Sequence, residues 1–391
     1  MTFRCLYRLQ LGPDLDFAAA RRLVPYLREL GVSHLYLSPV LQARPGSTHG
    51  YDVIDPTRVS QDLGGEDALR ALCREAPGIV LDIVPNHMAA EETNPFWADE
   101  ALRGRFFDVD PETGWRRRFF TIDDLAGVRV EDPEVFEVTH RKVLELAREG
   151  LIDGVRVDHP DGLSSPPEYL ERLRERGLEH VWVEKILEPG EELRDWPVEG
   201  TTGYEFLNDV LGLFVDPAAE EAFTALYREV TGEARSFAEV AQEAKRGQVR
   251  SDFRPEVERL RGLFDDPGLA EALASFHVYR TYVEPEHGRV EPADRTEVER
   301  AQVPERLAHV LLLEERGHDE FVTRFQQTTG PVTAKGVEDG LLPLQPAAGV
   351  ERGRRRSRPL RARARGLPPR AGEAAAERAA DDVHARHEAL G

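Results

Sequence analysis

Cysteine is scarce in this sequence of 391 residues, which contains only Cys5 and Cys73. Two cysteines indicate neither a disulfide framework nor a cysteine-based metal site. No apolar run approaches the ~18 residues that a membrane-spanning helix needs. The N-terminus also lacks the cationic and then apolar segment of a secretory signal. The sequence therefore predicts a cytoplasmic protein.

Positive charge is also in short supply. The chain has 51 Lys and Arg against 72 Asp and Glu, which gives a net charge of −21. Such a charge disfavours non-specific binding to nucleic acid or to an anionic membrane, and it favours a neutral partner such as a sugar. The composition, with 40% hydrophobic and 8% aromatic residues, is typical of a soluble globular protein. The length permits one large α/β barrel with an additional domain.

Strand-like and helical segments alternate between residue 7 and about residue 210. Asp16 is predicted to cap the first helix, and Pro25 is expected to break or kink it. Apolar strand-like runs end near residues 85, 159 and 186, and helical patterns lie between them. Repeated strand–helix units with apolar strands predict a parallel sheet covered by helices. Polar residues at the C-terminal ends of the strands favour a (β/α)₈ barrel.

Two changes in composition divide the chain. Residues 1–210 are predicted to form the first part of the barrel, and residues 211–339 a mainly helical insertion or subdomain. Residues 340–391 contain eleven Arg but no Lys and no aromatic residue. This tail cannot bury enough apolar surface to offset the entropy lost on ordering, so disorder is predicted. Nucleic-acid binding by Arg354–Arg356 is the weaker alternative, because the acidic body of the chain opposes it.

Two acidic residues, Asp158 in GVRVDH and Glu184 in VWVEKI, end strand-like runs. Alternation along a strand places Arg156 beside Asp158 and Trp182 beside Glu184. Paired carboxylates at neighbouring strand ends suit glycosidic-bond chemistry, in which one attacks the sugar carbon and the other protonates the leaving oxygen. Arg156 is expected to hold the pKa of Asp158 low, and apolar neighbours of Glu184 favour a protonated acid. A structural ion pair and a helix-capping glutamate are the respective alternatives.

Three further polar positions are candidates for contacts with a sugar. Asp82 and His87 belong to LDIVPNH, where a buried Asp82 would need partners and His87 could donate to a hydroxyl. The ring of Tyr51, in HGYD, could stack on a pyranose and contribute ~1 kcal/mol. Plain packing of Tyr51 and the pairing of Asp82 with loop amides remain the alternatives. No second histidine lies at ligand spacing from His87, so no metal site is predicted.

Read jointly, these segments resemble a known superfamily. DIVPNH, GVRVDH and VEKI match three of the four short regions of the α-amylase superfamily, glycoside hydrolase family 13. Seven further stretches are similar to the maltooligosyl trehalose synthase family: YRLQL (7–11), LYLSPV (35–40), STHGYDVIDP (47–56), RFF (118–120), GTTGYE (200–205), YRTY (279–282) and RFQQTTGPVTAKGVED (324–339). The resemblance covers roughly residues 1–339.

The resemblance implies an intramolecular transglucosylation. The α-1,4 bond at the reducing end of a maltooligosaccharide would become an α,α-1,1 bond, without a cofactor. The family pattern implies that Asp158 is the nucleophile and Glu184 the general acid and later base, with their carboxyl groups about 5–5.5 Å apart. It also implies a site that is closed on the reducing-end side and poor in mobile water.

Other roles also follow from the family pattern. Substrate contacts are implied for Tyr51, His87, Arg156, His159 and Trp182. Asp82 would support the residues around the sugar at the cleaved bond. The implied pathway partner is maltooligosyl trehalose trehalohydrolase. An α-amylase-type hydrolase and a non-catalytic sugar-binding remnant are the alternative functions.

The sequence departs from the family pattern after Asp339. The family's third essential carboxylate lies in a His-Asp segment beyond this point, and no such segment occurs here. Arg, Ala, Pro and Gly have G+C-rich codons, so the tail has the composition of a G+C-rich gene translated in the wrong frame. We therefore expect a frameshift near residue 340, natural or from sequencing, and resequencing the gene there would test it. A barrel without its last strands is expected to fold poorly and to be inactive.

Overall fold

The computed structural model describes residues 2–341, so the predicted Arg-rich tail lies outside the described residues except for its first two positions. The strands are β1 (Leu6–Leu9), β2 (His34–Leu37), β3 (Leu41–Ala43), β4 (Val53–Val59), β5 (Ile79–Ile83), β6 (His87–Ala89), β7 (Arg118–Phe119), β8 (Ile122–Gly127), β9 (Gly154–Val157), β10 (Val181–Val183) and β11 (Gly200–Thr201).

The helices between and after these strands are α1 (Phe17–Glu29), α2 (Gly65–Glu75), α3 (Pro95–Ala98), α4 (Glu100–Phe106), α5 (Pro133–Arg148), α6 (Pro166–Glu175), α7 (Tyr204–Gly212), α8 (Glu220–Thr231), α9 (Phe237–Arg250), α10 (Arg254–Leu263), α11 (Leu269–Ser275), α12 (Pro292–Arg300), α13 (Glu305–Leu311) and α14 (Asp319–Leu341). No helix within residues 2–341 has the length and apolar character to cross a membrane.

The central sheet is a curled half-barrel of parallel strands in the order β1-β2-β5-β9-β10-β11. Helices α1, α2, α5 and α6 lie in the crossovers that connect its first five strands. This arrangement confirms the prediction of an incomplete barrel with helices outside it. In the part of the chain that the structure describes, β1 and β11 are the edge strands, and each has a strand neighbour on one side only.

Burial explains why these segments form strands and helices. Every residue of β5 and β9 is buried, as expected for parallel strands covered on both faces. The side chain of Asp16 caps α1 by accepting the N–H of Ala19 at 2.7 Å, which confirms the predicted cap. Helix α1 nevertheless continues through Pro25, so Pro25 does not break the helix, and the kink stays a prediction. Packing of the buried Val24 and Leu27 against the core outweighs the local cost of the proline.

Three hydrophobic clusters fill the described part of the chain, the smallest of them formed by Ile54, Ala89 and Leu125. The largest one runs from Leu9 to Trp196 and includes Tyr282. The second lies between Val249 and Val332, among helices α9 to α14. Helices α7 and α8 contain no buried residue. The predicted boundary at residue 210 stays a prediction.

A small three-stranded antiparallel sheet, β6-β8-β7, follows the C-terminal end of β5. β6 begins at His87, four residues after β5 ends. The hairpin of β7 and β8 is therefore positioned beside the strand ends where the candidate residues lie.

Candidate active site

A cavity of about 690 Å³ opens at the C-terminal ends of the central strands. Six of the eight residues predicted for the site line it: Tyr51, His87, Arg156, Asp158, His159 and Glu184. Asp158 directly follows β9, and Glu184 directly follows β10, which pairs with β9 in parallel register. The fold thus brings together residues that are far apart in the sequence, at the end of the sheet where barrel enzymes carry their active sites.

Three carboxylates share the guanidinium of Arg156. Its Nη1 donates to Asp82 Oδ1 at 2.9 Å and to Asp158 Oδ1 at 2.7 Å, and its Nη2 lies 3.2 Å from Glu184 Oε1. The other oxygen of Glu184, Oε2, accepts the backbone N–H of His159 at 3.0 Å. Asp158 and Glu184 are therefore both fixed in position before any substrate arrives. This is the arrangement that two-carboxylate glycosidic chemistry needs.

Burial dominates the electrostatics of this cluster. It raises the pKa of Asp158 well above the usual range, and the nearby charge of Glu184 raises it further, against the opposing effect of Arg156. The expectation that Arg156 keeps the pKa of Asp158 low is therefore wrong, because strand alternation does not show how deeply the carboxylate is buried. Burial also opposes the charge of Arg156, but Asp82, Asp158 and Glu184 together raise its pKa, so it stays protonated.

Asp82 lies beneath the cavity and does not line it. Besides Arg156, its carboxylate accepts the hydroxyl of Tyr36 at 2.7 Å and that of Tyr51 at 2.6 Å. Burial raises the pKa of Asp82, while Arg156 and the two tyrosine hydroxyls oppose that shift. Tyr51 also accepts from Arg8 Nη2 at 3.0 Å. Asp82 thus orients Arg156 and Tyr51, which themselves reach the cavity.

His87 is 1% exposed, and neither of its ring nitrogens has a side-chain hydrogen-bond partner. Its ring stacks on Phe119 with centroids 4.0 Å apart and planes at 25°. Burial, followed by the charges of His159 and Arg117, lowers the pKa of His87 to about 3. The imidazole is therefore neutral near pH 7 and has one N–H donor and one acceptor, with no side chain of the protein bound to either.

Trp182 is the predicted residue that the structure does not bring to the site. Its ring packs edge-on against Phe3, with centroids 4.9 Å apart, beside His180 at the N-terminal ends of the strands. A Cβ on Gly154 would come within 3.0 Å of the tryptophan ring. The interpretation of Trp182 as a sugar contact is corrected accordingly. Alternation gives the face of the strand but not the direction in which a long side chain turns along it.

Several residues of the cavity were not predicted individually. Arg8, Tyr36, Phe119, Phe120 and Tyr204 all line it. Each lies in a stretch that carries the family resemblance, but none ends an apolar strand or forms an acidic pair. The only available signal was the presence of aromatic and basic residues in those stretches.

Comparisons with known proteins found similar chains and structures. Residues 19–163 match the model of the α-amylase catalytic domain. A protein of Mycobacterium tuberculosis described as a maltooligosyl trehalose synthase is 35% identical over 85% of this chain and 56% of its own length. The maltooligosyltrehalose synthase of Arthrobacter ramosus has a similar structure, with a TM-score of 0.75 and 34% identity over 86% of this chain and 56% of that one. The chain thus spans little more than half the length of these relatives.

Proposed function

We propose that this chain, a homologue of the maltooligosyl trehalose synthases with an α-amylase catalytic domain, catalyses an intramolecular transglucosylation at the reducing end of a maltooligosaccharide. One observation carries the proposal: Asp158 and Glu184 line one cavity while both are paired with Arg156. Two carboxylates that flank one bound glucose can perform a retaining double displacement.

In the first step, Asp158 attacks C1 of the glucose unit next to the reducing end in its ionised form, which the charge and hydrogen bond of Arg156 favour against the effect of burial. The bond from C1 to the bridging oxygen breaks, and protonated Glu184 donates its proton to that oxygen. The products are a glycosyl ester on Asp158 and a free reducing-end glucose. Arg156 remains hydrogen-bonded to the Asp158 carboxyl group and disperses the negative charge that returns to it when the ester is broken.

In the second step, the released glucose turns within the site and attacks the ester through its own C1 hydroxyl. The carboxylate of Glu184 takes the hydroxyl proton, the new C1–O–C1 bond forms and Asp158 leaves. Two inversions retain the α configuration. The neutral imidazole of His87, which has no side-chain partner in the described residues, supplies hydrogen-bonding groups for the bound sugar. Tyr51 and Arg156, oriented by Asp82, complete the contacts at the cleaved bond.

The product would be a substrate for an enzyme that hydrolyses the bond next to its trehalose unit, the reaction of maltooligosyl trehalose trehalohydrolase. We propose the cytoplasm as the compartment, since a chain with two cysteines suits reducing conditions.

The test is incubation of the chain with maltopentaose. We expect reducing ends to disappear without shortening of the oligosaccharide, whereas an α-amylase-type hydrolase would make reducing ends accumulate. Asp158→Ala should abolish the reaction, while Asp67→Ala, an exposed aspartate on α2, should leave it unchanged. Full turnover by the Asp158→Ala variant would exclude Asp158 as the nucleophile.

A second candidate is a non-catalytic sugar-binding remnant, the outcome that follows from the predicted inactivity of a barrel without its last strands and third carboxylate. The two edge strands β1 and β11 in the described half-barrel favour it. It predicts that maltopentaose binds in calorimetric titration but is not converted. Binding without conversion in the wild-type chain would therefore select this candidate.

A further inference from the structure

The hairpin of β7 and β8 has a phenylalanine where tight turns favour glycine. Phe119 pairs with Ile122, so Phe120 and Thr121 form a two-residue loop. Phe120 has a φ of 53°, in the left-handed region. Two-residue hairpin loops usually place Gly, Asn or Asp at such positions, because a larger side chain there is sterically strained. Strain of this kind is found where other contacts fix the residue, and it is frequent at ligand-binding positions.

Two arginines before the turn hold it in place. The buried Arg117 donates to Asn86 Oδ1 at 2.6 Å and to the carbonyl of Gly162 at 3.2 Å, which ties the turn to the loops after β5 and β9. Arg118 binds Glu256 of α10 through Nε and Nη2, both at 3.0 Å. The turn is thus anchored on the barrel side and on the helical side. Its strained conformation is set by these contacts and not by local preference.

The anchored turn presents its rings to the reacting groups. Phe119 stacks on His87, and the ring of Phe120 lies 5.3 Å from that of His159 at 40°. His159 also has a left-handed backbone, with φ 45°, and its N–H donates to Glu184. Phe119, Phe120 and His159 all line the cavity.

The contact with His159 indicates which part of the substrate these rings face. His159 binds Glu184 through its backbone N–H and meets Phe119 and Phe120 through its ring. A general acid must lie beside the leaving oxygen, so rings that pack on His159 in the same cavity are placed on the side of the departing reducing-end glucose. Aromatic faces suit the apolar face of a pyranose, and they can hold it without fixing one orientation by hydrogen bonds. That is what a glucose needs if it must turn over without leaving.

On the basis of the function proposed above, we propose that Phe119 and Phe120 form the wall that retains the reducing-end glucose after the first displacement. The glycosyl ester on Asp158 can be opened by the C1 hydroxyl of that glucose or by water, and in either case the attacking hydroxyl loses its proton to Glu184. The wall favours the first acceptor, because it keeps the glucose beside the ester and excludes water from the same space.

Saturation-transfer NMR with maltopentaose tests the wall without turnover when it is carried out in the Asp158→Asn background, with Phe120 and Thr121 unchanged as the wild-type reference. The substrate is then not converted, and the anomeric protons of its reducing-end glucose have their own shifts. Phe120→Gly removes the ring at a position whose backbone suits glycine, so misfolding is not expected. We expect the saturation of the reducing-end glucose, relative to the inner glucose units, to fall about threefold. Phe120→Tyr, which keeps a ring, and Thr121→Ala, which alters the neighbouring turn residue, should preserve the wild-type ratio.

If Phe120→Gly still bound maltopentaose with an unchanged ratio of reducing-end to inner-glucose saturation, the proposed wall would be contradicted. The proposed function would not be affected. An equal loss in Thr121→Ala would also overturn it, because the effect would then belong to the turn and not to the ring. If the wild-type reference showed no transfer to maltopentaose at all, the proposed substrate class would fail and the wall would fail with it.

Discussion

At the C-terminal ends of β5, β9 and β10, three carboxylates share one guanidinium, whereas at the N-terminal ends the neighbouring groups are aromatic rings. Phe3 there stacks on His34, with centroids 4.0 Å apart, and meets the edge of Trp182. The C-terminal ends of the strands hold charged groups at a cavity, and the N-terminal ends hold aromatic rings packed against one another. The same strands therefore carry a reactive cluster at one end and a packed cluster at the other, as in barrel enzymes generally.

Histidines show the same contrast between the site and the packed interior. His140 of α5 is buried with both ring nitrogens partnered, Nδ1 with the carbonyl of Phe136 at 3.0 Å and Nε2 with the hydroxyl of Tyr169 at 2.7 Å. His87 is equally buried, and no side chain binds either of its ring nitrogens. Unmet hydrogen-bonding capacity lowers stability, and it persists where a ligand can satisfy it. The site end of the sheet is thus expected to be reactive at the expense of stability.

Asp158→Asn should give the largest effect. Loss of the nucleophile is expected to lower turnover of maltopentaose by about 10⁴-fold or more. The free energy of unfolding at pH 7 should rise, because burial and Glu184 raise the pKa of Asp158 in the folded state and make its ionisation costly. Chemical denaturation and the maltopentaose assay measure the two effects.

The pH dependence supplies the control for Asp158→Asn. A carboxyl group whose folded pKa lies above its unfolded value of 3.8 stabilises the fold at low pH, and that contribution is lost as pH rises through the folded pKa. The difference in stability between variant and wild type should therefore grow as pH rises above about 4. A variant that is less stable than wild type at pH 7 would contradict this account of the site.

Trp182→Ala tests the opposite end of the sheet. Removing its ring from the contacts with Phe3 and His180 should cost about 3 kcal/mol of stability, the lower end of the range for core aromatic residues because Trp182 is only half-buried. Urea denaturation gives the cost. Maltopentaose affinity of the folded variant should not change, and a large loss of affinity at full folding would restore Trp182 as a sugar contact.

His87→Gln should change the pH dependence of stability in the opposite direction from Asp158→Asn. The pKa of His87 falls from 6.5 to about 3 on folding, so the unfolded chain takes up a proton first as pH falls. The wild type should lose about 2 kcal/mol from this group between pH 7.5 and 5. The glutamine variant should lack that loss in denaturation measured across the interval. If the curves of unfolding free energy against pH were parallel for the wild type and the variant, His87 would be protonated in the folded state or exposed to solvent.

The strand–helix order and the pairing of Asp158 with Glu184 could be predicted from the sequence, because alternation and apolar runs are local properties. Depth of burial is a property of the whole fold. The direction predicted from the sequence for the pKa shift of Asp158 was therefore wrong. The ring of Trp182 occupies space that Gly154 leaves open because it has no Cβ, and only the packed sheet reveals that space. Phe120 was beyond local rules for a different reason, since its turn is held by arginine contacts with residues 31 to 138 positions away.

Phe120 offers the finest test, because its backbone and its ring can be separated by two substitutions. Alanine and glycine both remove the ring, but only glycine adopts a φ of 53° without a steric penalty. Phe120→Gly should therefore be more stable than Phe120→Ala by about 1 kcal/mol, as measured by urea denaturation, while both lose the ring contact with the sugar equally. If alanine were as stable as glycine, Arg117 and Arg118 would not be enforcing a strained turn. Equal stability together with a lost sugar contact would then assign the effect to the ring alone. The expected difference would show that the fold bears strain at this end of the sheet to keep a ring against His159.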